Sequence, residues 1–165
     1  MKRLIYFLPL AFFILLAVML MLLLKENVAT SQTSQPETRT DLPLPVFALD
    51  SFKSADIKGY ALLHVTASWC AVCKIEHPLL MALSKKLPIY GIAWKDRKPT
   101  IDAWLKQAGN PYRKLAMDNG SVSVELGITG TPESFLISPQ GRIIAHFRGP
   151  LTQELVQQEI LERIR

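Results

Sequence analysis

Residues 60–67 read YALLHVTA, a nearly continuous apolar run, and Ser68 and Trp69 carry it into Cys70 and Cys73, the chain's two cysteines. A strand with one wet face alternates polar and apolar side chains, so a run like this predicts a strand covered on both faces. From Cys70 to about Lys86 the apolar residues Ile75, Leu79, Leu80 and Leu83 recur at helical spacing, which predicts a helix with both sulfurs in its first turn. Pro78 interrupts that helix and is expected to kink it. Pro88 ends the segment, and Ile89–Trp94 (IYGIAW) reads as a second buried strand. Two parallel strands need a crossover, and the helix between them provides one.

The remaining segments extend this pattern. PVFALD (45–50) reads as a short leading strand. Pro99 is placed to open a helix through Ala108 that Gly109 closes. Leu115–Met117 reads as extended, followed by a turn at Asp118–Gly120 and a short helix ending near Gly127. Phe135–Ile137 and Arg142–Phe147 are expected strands joined by the hairpin signal Ser138-Pro139-Gln140-Gly141. Leu151–Arg165 reads as a terminal helix, with Thr152 as N-cap, Glu154 near its positive end, and Leu155, Ile160, Leu161 and Ile164 as its apolar face. No internal repeat is present. The order predicts an α/β fold with a mixed sheet covered by helices on both faces.

Ahead of this lies LIYFLPLAFFILLAVMLMLLL, Leu4 to Leu24, 21 residues without a charge. As a helix it would be roughly 31 Å long, against about 30 Å of bilayer hydrocarbon. A cleavable signal peptide has a shorter apolar core, although small residues near Ala29 offer an alternative cleavage site; a buried helix is the third reading. Pro9, near one end, is tolerated there. Lys2 and Arg3 precede the run while Lys25 and Glu26 cancel after it, which keeps the N-terminus cytoplasmic and exports the rest. The expected organisation is a membrane anchor over 1–26, a polar, proline-punctuated tether over 27–44 and one domain over 45–165. From Lys25 onward 17 Lys plus Arg are interspersed with 14 Asp plus Glu, the densest cluster being Lys95, Arg97 and Lys98 beside Asp96. There is no basic stripe of the kind a nucleic-acid partner requires.

The cysteines admit four readings. A structural disulfide across a two-residue gap would constrain the unfolded chain little. A closed zinc site wants four ligands; His77 could add one, but no second cluster is visible. Attachment of c-type haem needs histidine directly after the second cysteine, where Lys74 stands. A redox couple fits best. A thiolate at Cys70 would meet the unpaired N–H groups and positive end of the helix, which can lower its pKa. Cys70 is then the exposed nucleophile and Cys73, a turn deeper, the resolving thiol, with no organic cofactor. Trp69 reads either as an apolar lip beside the nucleophile or as a packed aromatic. Thr131-Pro132 follows Gly127 and Gly130 and precedes a strand; on base rates alone its peptide bond would be trans.

The stretches WCAVCKIEHP (69–78), IYGIAWKD (89–96), GNPY (109–112), LGITGTPESFLI (126–137) and GRIIAHFRGPLT (141–152) together resemble the thioredoxin-like superfamily. Within it they resemble the membrane-anchored thiol:disulfide interchange proteins of cytochrome c maturation, the CcmG or DsbE family. The resemblance implies a three-layer thioredoxin-like fold behind one transmembrane helix, and a cis Pro132 that packs on the active disulfide and presents the Thr131 backbone to substrate. It also implies acids near the thiols, at Glu76 and Glu133, where a shielded carboxyl could exchange a proton with Cys73. The implied role is a periplasmic reductant. It would keep the haem-binding cysteines of apocytochrome c reduced, directly or through a dithiol component of the haem-ligation complex, with electrons from a transmembrane thiol–disulfide donor. Two positions depart from the family's Leu-Asn-Val-Trp: Leu63-His64-Val65-Thr66 places a histidine and a threonine there. His64 could tune the thiolate or satisfy a core hydrogen bond, the second being favoured; His77 and His146 read as structural. Rival functions are a general envelope disulfide reductase and a cysteine-based metal or haem chaperone.

Overall fold

The apolar run at 60–67 becomes the centre of a sheet. The computed structural model describes residues 12–21 and 41–165, in two units, Met1–Thr33 and Ser34–Arg165. In the first, residues 12–21 form helix α1 with exposed side chains. The expected anchor (1–26) and tether (27–44) fall largely outside the described residues, among which no helix is long and apolar enough to cross a membrane.

The second unit holds strands β1 (Leu42–Pro43), β2 (Ala61–Thr66), β3 (Ile89–Trp94), β4 (Lys114–Asp118), β5 (Glu133–Ile137) and β6 (Arg142–Arg148). They form one sheet in the order β1-β6-β5-β2-β3-β4. β2 pairs parallel with β3 and antiparallel with β5, β3 pairs parallel with β4, and the β5–β6 hairpin completes the mixed sheet. The parallel connections are helices α2 (Ala71–Leu83) and α3 (Lys98–Ala108). Helix α4 (Ser121–Leu126) starts on the Asp118 carboxylate, which accepts from the N–H groups of Gly120, Val122 and Ser123, and Gly127 closes it in the left-handed region at φ 66°.

Side chains alternate across β2, and this decides what the site contains. Leu63 and Val65 point into one core with Phe52, Tyr90, Val122 and Phe135. Leu62 points into the other, with Leu80 and Leu83 of α2 and Ile101 of α3. His64 and Thr66 share the face of Leu62 and are both 0% exposed. The strand is thus apolar on one face throughout, and on the α2 face only at its start.

Three expectations are corrected. PVFALD is not a strand: Pro45 cannot donate to a ladder, Ala48 makes one isolated bridge to Lys53, and Phe47 and Phe52 turn inward with ring centroids 5.9 Å apart. The edge strand is instead Leu42–Pro43, ahead of the expected domain start at 45. Ile75, one of the apolar residues whose spacing predicts the helix, is 78% exposed and not part of its inward face, which is Cys73, Glu76, His77, Leu80 and Leu83. The C-terminal helix is α-helical only as α5 (Gln153–Leu155) and continues as a π-helical segment, Val156–Leu161, which buries Val156 and Ile160. Thr152 caps it as expected, its Oγ1 accepting from Leu155 N at 3.2 Å.

Gly91 of β3 has no room for a side chain. A Cβ there would lie 2.5 Å from Leu115 Cδ1 and 2.8 Å from the Tyr112 ring. Gly91→Ala is expected to destabilise the fold by about 1–3 kcal/mol through overpacking, read as a lower urea midpoint at unchanged slope.

Candidate active site

Where β2 ends and α2 begins, the backbone delivers both cysteines to one place. Cys70 is the N-cap of α2, with its Sγ accepting from Cys73 N at 3.1 Å. Both thiols are free, and neither is open: Cys70 is 6% exposed and Cys73 1%. The expectation of an exposed nucleophile is corrected to a nearly covered one, still the more accessible of the pair.

The peptide bond Thr131-Pro132 is cis, as the resemblance implied and against the base rate. This turn lies over both sulfurs. Cys70 Sγ–H donates to Thr131 O at 3.5 Å, and Cys73 Sγ lies 3.2 Å from Thr131 Oγ1. The Thr131 hydroxyl donates to Val65 O at 3.0 Å, so its one proton is committed and Cys73 is the donor to it. Burial pushes the Cys73 thiol up to about 12, helped by the Cys70 sulfur.

Glu133 holds the turn from behind. Its Oε1 accepts from Thr129 N (2.8 Å), Thr129 Oγ1 (2.8 Å) and Gly130 N (2.9 Å), and its Oε2 lies 2.8 Å from His146 Nε2. Burial works against its charge, but the bonds from His146, Thr129 and Gly130 outweigh it and leave the carboxyl below its ordinary value. Such a group does not carry protons near neutrality. Glu133, expected as an acid near the thiols, is a brace for residues 129–130 ahead of the cis turn.

Trp69 is 57% exposed, and its Nε1 donates to Lys95 O at 3.1 Å. Its ring lies 6.3 Å from that of Trp94. The neighbouring Asp96 carboxyl grips the strand end, accepting from Ser68 N and, at 2.9 Å, from Ser68 Oγ. With Val72 and Ile75, 41% and 78% exposed, Trp69 forms an apolar rim beside Cys70.

Glu76 lies one helical turn beyond Cys73 on the inward face of α2 and is 4% exposed. Burial raises its carboxyl to about 8, against a single opposing bond from Leu151 N to Oε2 at 2.9 Å. Its other oxygen, Oε1, faces His64 Nε2 at 3.3 Å. His64 Nδ1 lies 2.9 Å from Ser134 Oγ, and its ring stacks on Tyr112. Burial, and His77 nearby, lower His64 to about 3. His77 itself bonds Gly109 O at 3.1 Å through Nε2 and packs on Trp104, a structural place, as is that of His146 against Phe135.

A dithiol under a cis-proline turn, with a proton-holding carboxyl one turn away, can exchange disulfides. The AhpC/TSA family pattern matches residues 39–146, which takes in both cysteines, the turn and Glu133. The thiol:disulfide interchange protein DsbE of Pseudomonas aeruginosa is 34% identical over 170 residues, covering 97% of this chain and 92% of that one. The chain belongs to the DsbE family of thiol:disulfide interchange proteins. The DsbE of Escherichia coli is 33% identical over 97% of this chain. That of Xylella fastidiosa is 37% identical over 131 residues, 77% of this chain and 66% of the relative, just under two thirds of its length. The thioredoxin domain of a Bacteroides vulgatus thiol-disulfide oxidoreductase superposes with TM-score 0.68 at 19% identity, over 78% of this chain and all of that one. A thioredoxin-family thiol:disulfide interchange protein of Chlorobium tepidum gives TM-score 0.62 at 23% identity, over 80% and 98%. At these identities the two structures speak to the fold, which is thioredoxin-like.

The structure brings Cys70, Cys73, Thr131 and Pro132 together and places Glu76 one turn beyond Cys73. Sequence reasoning gives no place at the site to Tyr112, Ser134 or the Leu151 amide, and notes Asp96 only as the acid beside a basic cluster and within a family stretch. Asp96 had a signal, standing two residues beyond a buried strand beside Trp94; the Leu151 amide had none. Alkylation of the reduced protein across pH is expected to label Cys70 well before Cys73, whose proton is held to about 12; labelling in the reverse order would refute the assignment of roles.

Proposed function

We propose that this chain is a periplasmic reductant serving cytochrome c maturation, held at the bacterial inner membrane by residues 1–26 and a tether over 27–44. Its substrate is the haem-binding cysteine pair of apocytochrome c, or a dithiol component of the haem-ligation complex. Its electrons come from a transmembrane thiol–disulfide donor. The observation that carries the reading is the Cys70–Cys73 dithiol closed under Thr131-Pro132 with Glu76 a turn away. The uncharged run from Leu4 to Leu24 supports the anchor, and tethering would raise the local concentration near membrane-bound partners.

The Cys70 thiolate attacks a substrate disulfide. A Cys70–substrate S–S bond forms, the substrate's own breaks, and the departing sulfur takes a proton. Cys73 then gives its proton to ionised Glu76 and attacks Cys70 Sγ. The Cys70–Cys73 disulfide forms and the second substrate thiol leaves, two electrons having passed to substrate. Thr131 offers its backbone, and the rim of Trp69 its apolar surface, to the substrate segment.

Replacing Cys73 by Ala in the full chain, in membranes, is expected to trap partners on Cys70. Recovery of apocytochrome c or a haem-ligation dithiol protein, together with a transmembrane donor, supports the specific role. A broad set of unrelated envelope proteins would point instead to a general disulfide reductase. Stoichiometric metal in reduced protein that exchanges no disulfides would point to a chaperone.

A further inference from the structure

We propose that His64, fixed by Ser134, is a positioning residue for Glu76: its Nε2 accepts the carboxyl proton and thereby makes Glu76 a stronger base toward Cys73. This rests on the reading of Glu76 as the proton acceptor of Cys73.

The direction of each hydrogen follows from the donors around the group. Leu151 N–H donates to Glu76 Oε2, so the proton of the neutral carboxyl sits on Oε1. That oxygen faces His64 Nε2 at 3.3 Å, and among the described residues neither of these buried atoms has a hydrogen-bond partner, so each has only the other to turn to. A protonated Oε1 needs an acceptor, so Nε2 carries no hydrogen. The neutral imidazole then bears its proton on Nδ1 and donates it to Ser134 Oγ at 2.9 Å. The result is a one-way chain: Glu76 Oε1–H to Nε2, and Nδ1–H to Ser134. Stacking on Tyr112, with centroids 6.0 Å apart and planes at 14°, holds the ring in this orientation.

Once Glu76 is ionised, its Oε1 meets a lone pair rather than an N–H. Accepting a proton from Cys73 relieves that opposition and restores the Oε1–H to Nε2 bond. A bond available only to the protonated form raises proton affinity, and a base acts best on a thiol when its own affinity approaches the thiol's. Also facing this carboxyl are the Leu151 amide and the Tyr112 hydroxyl, with Cys73 one turn earlier on the inward face of α2. Burial supports the same state, holding Glu76 up to about 8 and His64 neutral down to about 3.

Two measurements test this. In the reduced full-length protein, the 15N signals of His64 at pH 6 should show a protonated Nδ1 and a bare Nε2; a protonated Nε2 overturns the proposal in wild-type protein, with no variant needed. Second, reduced protein mixed with 5,5′-dithiobis(2-nitrobenzoate) releases a second nitrobenzoate thiolate when Cys73 attacks the mixed disulfide on Cys70. The rate of that phase should rise with pH through an inflection near 8, the value to which Glu76 is raised. Ser134→Ala frees the tautomer and His64→Asn can present an amide N–H; either should move the inflection down to about 7 or below, a tenfold change in proton affinity. An inflection unmoved in both variants overturns the role of His64. If Glu76→Gln retains the inflection, the parent reading of Glu76 fails instead, so the two failures are distinguishable.

Discussion

Glu76→Gln is expected to slow release of a Cys70-bound partner by about 10²–10³-fold near neutral pH, the usual worth of a positioned general base. The glutamine is isosteric with the protonated acid: its carbonyl can accept from Leu151 N and its amide can face His64 Nε2, so the fold is preserved. What disappears is the acceptor for a thiol proton held to about 12. The rate at saturating nitrobenzoate disulfide reads this step; an unchanged rate would remove Glu76 from the mechanism. The same variant reports on stability. Folded protein keeps the Glu76 proton up to about 8, whereas the unfolded chain releases it near the ordinary 4.5. Between those values the unfolded state binds fewer protons, so stability falls as pH rises, by on the order of 4 kcal/mol across the window. His64 acts in the opposite sense. The unfolded chain takes up its proton at 6.5 while the folded protein refuses it down to about 3, so stability falls as pH drops below 6.5. The two slopes cancel between 4.5 and 6.5, where the wild type should show a plateau. Glu76→Gln should remove the decline on the alkaline side, seen in urea midpoints measured from pH 5 to 9.

Glu133→Ala is expected to cost about 1–3 kcal/mol of stability at pH 7, because it leaves the buried His146 and the half-covered donors of residues 129–130 without their acceptor rather than removing a contact and its partners together. Thr129 N, Thr129 Oγ1 and Gly130 N all converge on Oε1, and His146 Nε2 faces Oε2. The contribution depends on the charged form. With its pKa held below the ordinary carboxyl value, Glu133 contributes fully above that ordinary value, and the contribution fades as pH falls through the lowered one. The variant should therefore lose its deficit in acid. Disulfide exchange should slow as well, since the same loop carries Thr131 over both sulfurs. An urea midpoint unchanged at pH 7 would show that the loop holds its shape without this brace.

Much of the architecture was legible because burial period and chain punctuation are local properties. Ile89–Trp94 came out to the residue, since a β-branched and aromatic run between Pro88 and a charged turn leaves few alternatives. PVFALD failed for a non-local reason: Phe47 and Phe52 find each other across a turn, and nothing in the hexapeptide says that Leu42 will meet Ile143. Ile75 failed because the inward face of α2 is set by Cys73, which must lie under the cis turn, and by the polar Glu76 and His77 that follow it. A pattern reading ranks polar residues as outward; here they line the site.

The chain's covalent order was enough to establish a buried strand, two sulfurs at a helix start, a proline turn and the family they resemble, since spacing along one helix or strand is settled within a few residues. It could not establish which carboxyl keeps its proton near neutrality. Glu76 and Glu133 are both acids near the thiols on paper, yet one meets a single backbone amide and keeps its proton to about 8, and the other meets three donors and a histidine and stays charged. That difference comes from groups distant in sequence, Leu151 and His64 around the first and His146 around the second, and proton affinity is fixed by what surrounds a carboxyl in space.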